Sequence, residues 1–146
     1  MFKLLISLAL LLWVNTSFAI SLIVNDSVSF SPASSKDIRN IFTLQQTHWE
    51  NGNKIQIFVF PDDNAVHQQF SKSITQIFPY QYRRIWDRVT FSGTGLAPTT
   101  VNSMEEMLEK VSQTKNSIGY IENIENIDKH QSIRVIILQG DENEAQ

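Results

Sequence analysis

The sequence contains no cysteine. That excludes a disulfide framework, a thiol nucleophile, a thiolate metal site and a lipid carried on a cysteine. It also lacks a Gly-x-Ser-x-Gly elbow, a His-Glu-x-x-His pair and a Walker phosphate loop. Glu105, Glu106 and Glu109 fall together, but as one helix surface and not as a pair of facing carboxylates. With no catalytic constellation, the chain is expected not to be an enzyme and to need no cofactor. Neither sign of charge dominates: 12 basic residues stand against 15 acidic, a net charge of −3. A mildly acidic chain gives no reason to expect nucleic acid or an anionic membrane as partner. There is no internal repeat and no long linker, and 146 residues make about one domain, large enough to bury a core without staples.

No apolar run is long enough to span a bilayer, which takes roughly 20 residues. The run Leu4 to Val14 follows Met1-Phe2-Lys3 and is followed by small residues at Ser17 and Ala19. One early positive charge, a short apolar block and small residues describe a secretory signal cleaved after Ala19; the alternative is a membrane anchor. Residues 1–19 are thus expected to be a leader, 20–140 a domain free in the periplasm with no stable membrane insertion, and 141–146 an acidic tail.

What is present alternates. Ile20 to Val24 is a short apolar run, read as a strand, and a serine-rich loop follows it. Ser35 is placed to cap a helix running to about Thr43, with Ile38, Ile41 and Phe42 inward. Asn51-Gly52-Asn53 is a turn before a second strand, Lys54 to Phe60, which Pro61 stops. Asn64 is placed to cap the next helix, with Val66, Phe70, Ile74 and Ile77 about a turn apart. Pro79 opens another, with Tyr82, Ile85, Trp86 and Val89 at helical spacing. Ser103-Met104-Glu105-Glu106 reads as a capping box ahead of an apolar stripe, Met104, Met107, Leu108 and Val111. Ser117 to Ile121 and Ile133 to Leu138 read as strands. The class is α/β, a mixed sheet covered by helices. In such sheets ligands sit beyond the carboxyl ends of strands, here the loops 25–34 and 61–64.

Four stretches invite a chemical reading. The loop with Ser27, Ser29 and Ser31 offers hydroxyls beside a helix N-terminus, as an anion site does, although serines are also common in loops and caps. Asp63 and His67 lie four apart, as two metal ligands would on a helix, with an acidic first turn and a solvated histidine as the plainer account. Arg83, Arg84 and Arg88 would either hold an anion or form a solvated face on which Arg83 pairs with Asp87. Phe91 to Pro98, "FSGTGLAP", has the letters of a phosphate cradle, yet it follows a helix instead of linking a strand to one. Gly93 and Gly95 are then expected to give backbone freedom to a turn that Pro98 ends.

Four segments taken in order resemble a known family. They are "IVNDSVSFSPASSKDIRNIF" (23–42), "HWENGNKIQIFVFPDDNAVHQQF" (48–70), "IWDRVTFSGTGLAP" (85–98) and "SMEEMLEKVSQTKNSIGYIENI" (103–124). Within them stand Ile41-Phe42 followed by Trp49-x-x-Gly52, Trp86-x-x-x-x-Phe91-x-Gly93, and Ile118-Gly119-Tyr120. The chain resembles short exported relatives of the phosphate-binding proteins of ABC transporters, in the type II periplasmic binding protein superfamily. The resemblance implies a single lobe of a two-lobe fold, with a phosphate-like oxyanion as ligand and an envelope or ABC transporter protein as partner. In that family an arginine at a strand end is followed four residues later by Ser-Gly-Thr opening a helix. Here Phe60 stands in the arginine's place and Asn64-Ala65-Val66 in that of Ser-Gly-Thr, with Asp62 and Asp63 adding negative charge. The ligand residues implied are therefore Ser27, Ser29, Ser31 and Asn64. The expected function is weak oxyanion binding; the alternative is a non-enzymatic envelope interaction module that has lost its ligand.

Overall fold

A computed structural model of the chain describes residues 19–29, 34–125 and 127–138. The expected leader, residues 1–19, lies outside them except for Ala19, and the acidic tail, residues 141–146, lies outside them entirely. Strands β1 (Ser21–Asn25), β2 (Gln56–Val59), β3 (Thr99–Thr100), β4 (Ser117–Ile121) and β5 (Ile133–Ile136) form one sheet, in the order β3-β2-β4-β1-β5. The helices are α1 (Ser35–Phe42), α2 (Ala65–Phe70), α3 (Pro79–Ser92) and α4 (Met104–Gln113), with a π-helical turn at Ser71–Thr75 running on from α2. The fold is α/β, as the alternation implies. The two-residue β3, the π turn and a short 3₁₀ turn at Ile127–Lys129 leave no periodic signal in the sequence.

The helix starts follow local chemistry. Ser34, one residue before the expected cap, closes α1. Its Oγ accepts from Asp37 N–H and Asp37 Oδ2 accepts from Ser34 N–H, a reciprocal pair that only Ser34 can make because Asp37 lies three residues on. Asn64 caps α2 as expected, accepting from Val66 and His67 N–H. Ser103 caps α4 through Glu106 N–H, while the Glu106 carboxylate accepts from Asn102 N–H. Pro79 is the first residue of α3, which ends at Gly93 with φ 69°, a left-handed conformation cheap only for glycine.

Strand alternation sends side chains to two layers. Tyr120 of β4 packs under α1 and α2, its ring stacked on Phe70 at 4.0 Å and tilted against Phe42 at 5.9 Å. On the other face, Gly119 lies beneath α4, where an added Cβ would stand 2.5 Å from Met107 Sδ. Gly119 is therefore a packing glycine. Trp86, 2 % exposed, donates Nε1–H to the Phe42 carbonyl and ties α3 to the end of α1.

Strand direction is the fact that governs the site. β1 runs antiparallel to β4, with Val24 opposite Ile118 and Ser21 opposite Ile121. β2 runs parallel to β4, with Ile57 opposite Ile118. The carboxyl ends of β1 and β2 therefore lie at opposite ends of the sheet.

Candidate functional site

The proposed ligand residues do not converge. Ser27 follows the end of β1 at the Ser117 end of β4; Asn64 follows the end of β2 at the Ile121 end. The length of β4 separates them, five residues at about 3.3 Å each, roughly 16 Å. One small oxyanion cannot touch both. The loops 25–34 and 61–64 both follow strand carboxyl ends, as expected, but would open on one side of the sheet only if β1 and β2 ran parallel. Ser31 lies outside the described residues, and Ser29 is exposed beside Ser27.

Ser27 has a structural task. Its Oγ accepts from the Asn116 backbone N–H at 2.9 Å. The Asn116 carbonyl accepts in turn from Trp49 Nε1–H at 3.0 Å and from Gln56 N–H at 3.1 Å. Asn116, at φ 61°, thus ties the β1 loop, the Trp49 turn and the start of β2 together. Asn25 Nδ2 donates to the carbonyls of Val111 and Ser112, satisfying the end of α4.

At the other end, Phe60 is buried and meets the Tyr120 ring edge-on at 5.5 Å. Asn64 Oδ1 is occupied by the first N–H groups of its own helix. Arg83 reaches this loop from α3 and grips Asp62 with two hydrogen bonds, Nε to Oδ2 at 3.1 Å and Nη2 to Oδ1 at 3.0 Å. Its guanidinium lies 5.5 Å from the centre of the Trp86 ring. The expected Arg83–Asp87 pair gives way to this one, because Asp62 presents both oxygens to the planar fork. The Asp62 hydrogen bonds raise the Arg83 pKa above its ordinary value.

His67, expected in solvent or on a metal, is wholly buried. Its ring lies about 6 Å from those of Phe70, Tyr82, Trp86 and Tyr120. Nδ1 is 2.5 Å from the Tyr120 hydroxyl, which also accepts from Phe60 N–H at 3.0 Å. The Tyr120 oxygen has a second lone pair besides the one Phe60 uses, so the direction of the bond to Nδ1 is set by the His67 tautomer. Burial lowers the His67 pKa to about 4; Asp62 opposes the shift and Arg83 adds to it. Burial likewise raises the Tyr120 and Tyr82 pKa values. His67 Nε2 and Ser71 Oγ meet no protein partner among the described residues, and the Tyr82 hydroxyl lies beside Thr75 without a well-oriented bond. Asp63 is exposed, so the i,i+4 pair does not share a face. Sequence spacing missed this cage because the inward turn of α2 depends on where Tyr120 and Trp86 lie.

The "FSGTGLAP" stretch forms the α3–β3 connection. Gly93 supplies the positive φ expected of it; Gly95 does not, and is small because a Cβ would lie 3.0 Å from Val89 Cγ1. Thr94 to Pro98 line one side of an open cavity of about 350 Å³ whose other walls include Leu44, His48 and Lys54.

The architecture is that of about half of a transport binding protein. Superposed on PstS from Borrelia burgdorferi, the chain gives a TM-score of 0.67 at 17% identity, with 84% of this chain covering 47% of that one. On an ABC-type phosphate transport receptor from Vibrio cholerae the values are 0.59 and 16%, with 82% of this chain covering 45% of the other. The chain spans about half the length of these structures, and a single lobe fits. No family model matches the sequence, and no curated protein is significantly similar to it. Among the described residues, no helix is long and apolar enough to cross a membrane.

Proposed function

We propose that this chain is a non-enzymatic, exported lobe of the periplasmic binding-protein architecture that has lost the phosphate clamp and serves as an interaction module in the cell envelope. One observation carries the reading: at the loop where the clamp is expected, the N–H groups that open α2 and the Arg83 guanidinium already have protein acceptors. Asn64 holds the N–H groups of Val66 and His67, and Asp62 holds Arg83. A phosphate would have to displace a protein acceptor from each, in a one-lobe site open to water, where hydrogen bonds to an anion are weak. Export rests on the leader pattern of residues 1–19.

Calorimetry with phosphate and sulfate at low ionic strength tests the loss of binding. No heat is expected up to millimolar ligand, equivalent to about −4 kcal/mol. Crosslinking in the envelope fraction, followed by pull-down, is expected to recover a specific protein partner. Recovery of the monomer alone, together with clear phosphate binding, would refute the proposal.

Arg83 favours a second reading, weak oxyanion binding, since it brings a guanidinium to a loop that has Phe60 at the strand end. An anion could then compete with Asp62. Asp62→Asn would free the guanidinium and raise phosphate affinity if this reading holds.

A further inference from the structure

The cavity beside "FSGTGLAP" lies at the start of β2, the end of the sheet away from Asn64. Its volume, about 350 Å³, is that of a small-molecule site. Its chemistry is two-sided. Leu44, Val89 and Leu96 give it apolar walls. His48 and Lys54 pair across an antiparallel bridge, which places their side chains on one face of that hairpin, and both border the cavity. Thr47 Oγ1 engages His48 Nδ1 at 2.9 Å and leaves Nε2 for another partner. Among the described residues no carboxylate lines the cavity, although acidic residues outnumber basic ones in the chain.

Three details of the lining agree with a site. Leu44 has φ 62° just past the end of α1, where glycine would be cheaper, so a large apolar side chain is kept at a cost in backbone energy. Gly95 lacks a side chain where one would press on Val89. Leu96 stands 74 % exposed at the rim, an apolar surface that an occupant would cover.

We propose that this cavity binds a small organic anion, a carboxylate with a compact apolar tail, its charge against Lys54 and His48 and its tail against Leu44, Val89 and Leu96. The site is independent of the clamp loop.

The test is an NMR titration of the full domain with hexanoate, alongside 1-hexanol and inorganic phosphate. Hexanoate is expected to shift the amides of Thr47, Lys54, Thr94 and Thr99 and to saturate below about 10 mM. Hexanol and phosphate, each with half of the chemistry, are expected to bind at least about tenfold more weakly. Lys54→Met is expected to weaken hexanoate about tenfold, as loss of a charged partner does. Gly95→Val would fill the cavity. Because it also presses on Val89, Leu96→Glu at an exposed position serves as the second variant, and it should repel the carboxylate with the fold unchanged. Absence of saturation, shifts centred elsewhere, equal affinity for phosphate, or hexanoate binding indifferent to both Lys54→Met and Leu96→Glu would overturn the proposal.

Discussion

His67 should make the stability of this domain depend on pH in a defined window. In the unfolded chain it titrates near 6.5; folded, burial in the aromatic cage lowers it to about 4. A group whose folded pKa is depressed stabilises the native state above the unfolded pKa, and that stabilisation is lost as pH falls toward the folded value. Below 6.5 the unfolded chain takes up a proton that the folded one refuses. At about 1.4 kcal/mol per pH unit, the loss between pH 7 and pH 4 reaches about 3 kcal/mol. That is a large part of the 5–15 kcal/mol typical of a whole domain. The assay is urea unfolding followed by tryptophan fluorescence, at several pH values from 7.5 to 4, for the wild type and for His67→Gln. The variant removes the titration and keeps a side-chain amide, donor and acceptor both, to meet the Tyr120 hydroxyl. Its absolute stability will fall, because the cage loses a ring. Carboxylate titrations are common to both proteins and cancel in the difference. The wild type is expected to lose about 3 kcal/mol more than the variant over that range. Parallel curves would refute the buried neutral imidazole.

Gly119→Ala should cost about 1–3 kcal/mol, read as a lower urea midpoint, because its Cβ would meet Met107 Sδ at 2.5 Å and Val111 Cγ2 at 3.2 Å. An unchanged midpoint would mean that α4 does not sit on β4 as closely as described. Asn64→Ala should cost about 1 kcal/mol while Asn64→Ser keeps most of it, as expected of a helix cap; equal stability of all three proteins would count against that role. Asp62→Asn should change stability by less than about 1 kcal/mol, and less still at high salt, because both partners of the ion pair are well exposed, at 42% and 37%. A larger loss would show that the pair anchors the loop.

Much of the secondary structure was legible because it is local. The cap at Asn64, the cap at Ser103, the proline opening α3 and the stripe Met107, Leu108, Val111 each lie within a few residues of what they act on, and each is found in place, although Glu106 closes back on Asn102 N–H and not on Ser103. The one-residue shift of the first cap, from Ser35 to Ser34, follows from the same local logic through Asp37. β3 escaped notice because two exposed threonines carry no alternation; they pair only because β2 passes beside them.

The site readings fared differently. Ser27 and Asn64 each suit an anion by type, and each also accepts a hydrogen bond within the fold, one from Asn116 and one from its own helix. The residues that meet in space, His67 with Tyr120 and Arg83 with Asp62, are 53 and 21 positions apart. No spacing rule reaches that far.

The helices, the main strands, the α/β class and the order of segments that marks the architecture follow from the residues alone, since these depend on caps, turns and periodicity within a few residues. The direction of β1, and with it which loops share an end of the sheet, comes from the folded chain. That direction depends on pairing between Ser21–Asn25 and Ser117–Ile121, almost a hundred residues away. A strand's own side chains specify its faces, and its polarity is settled by the partner it meets.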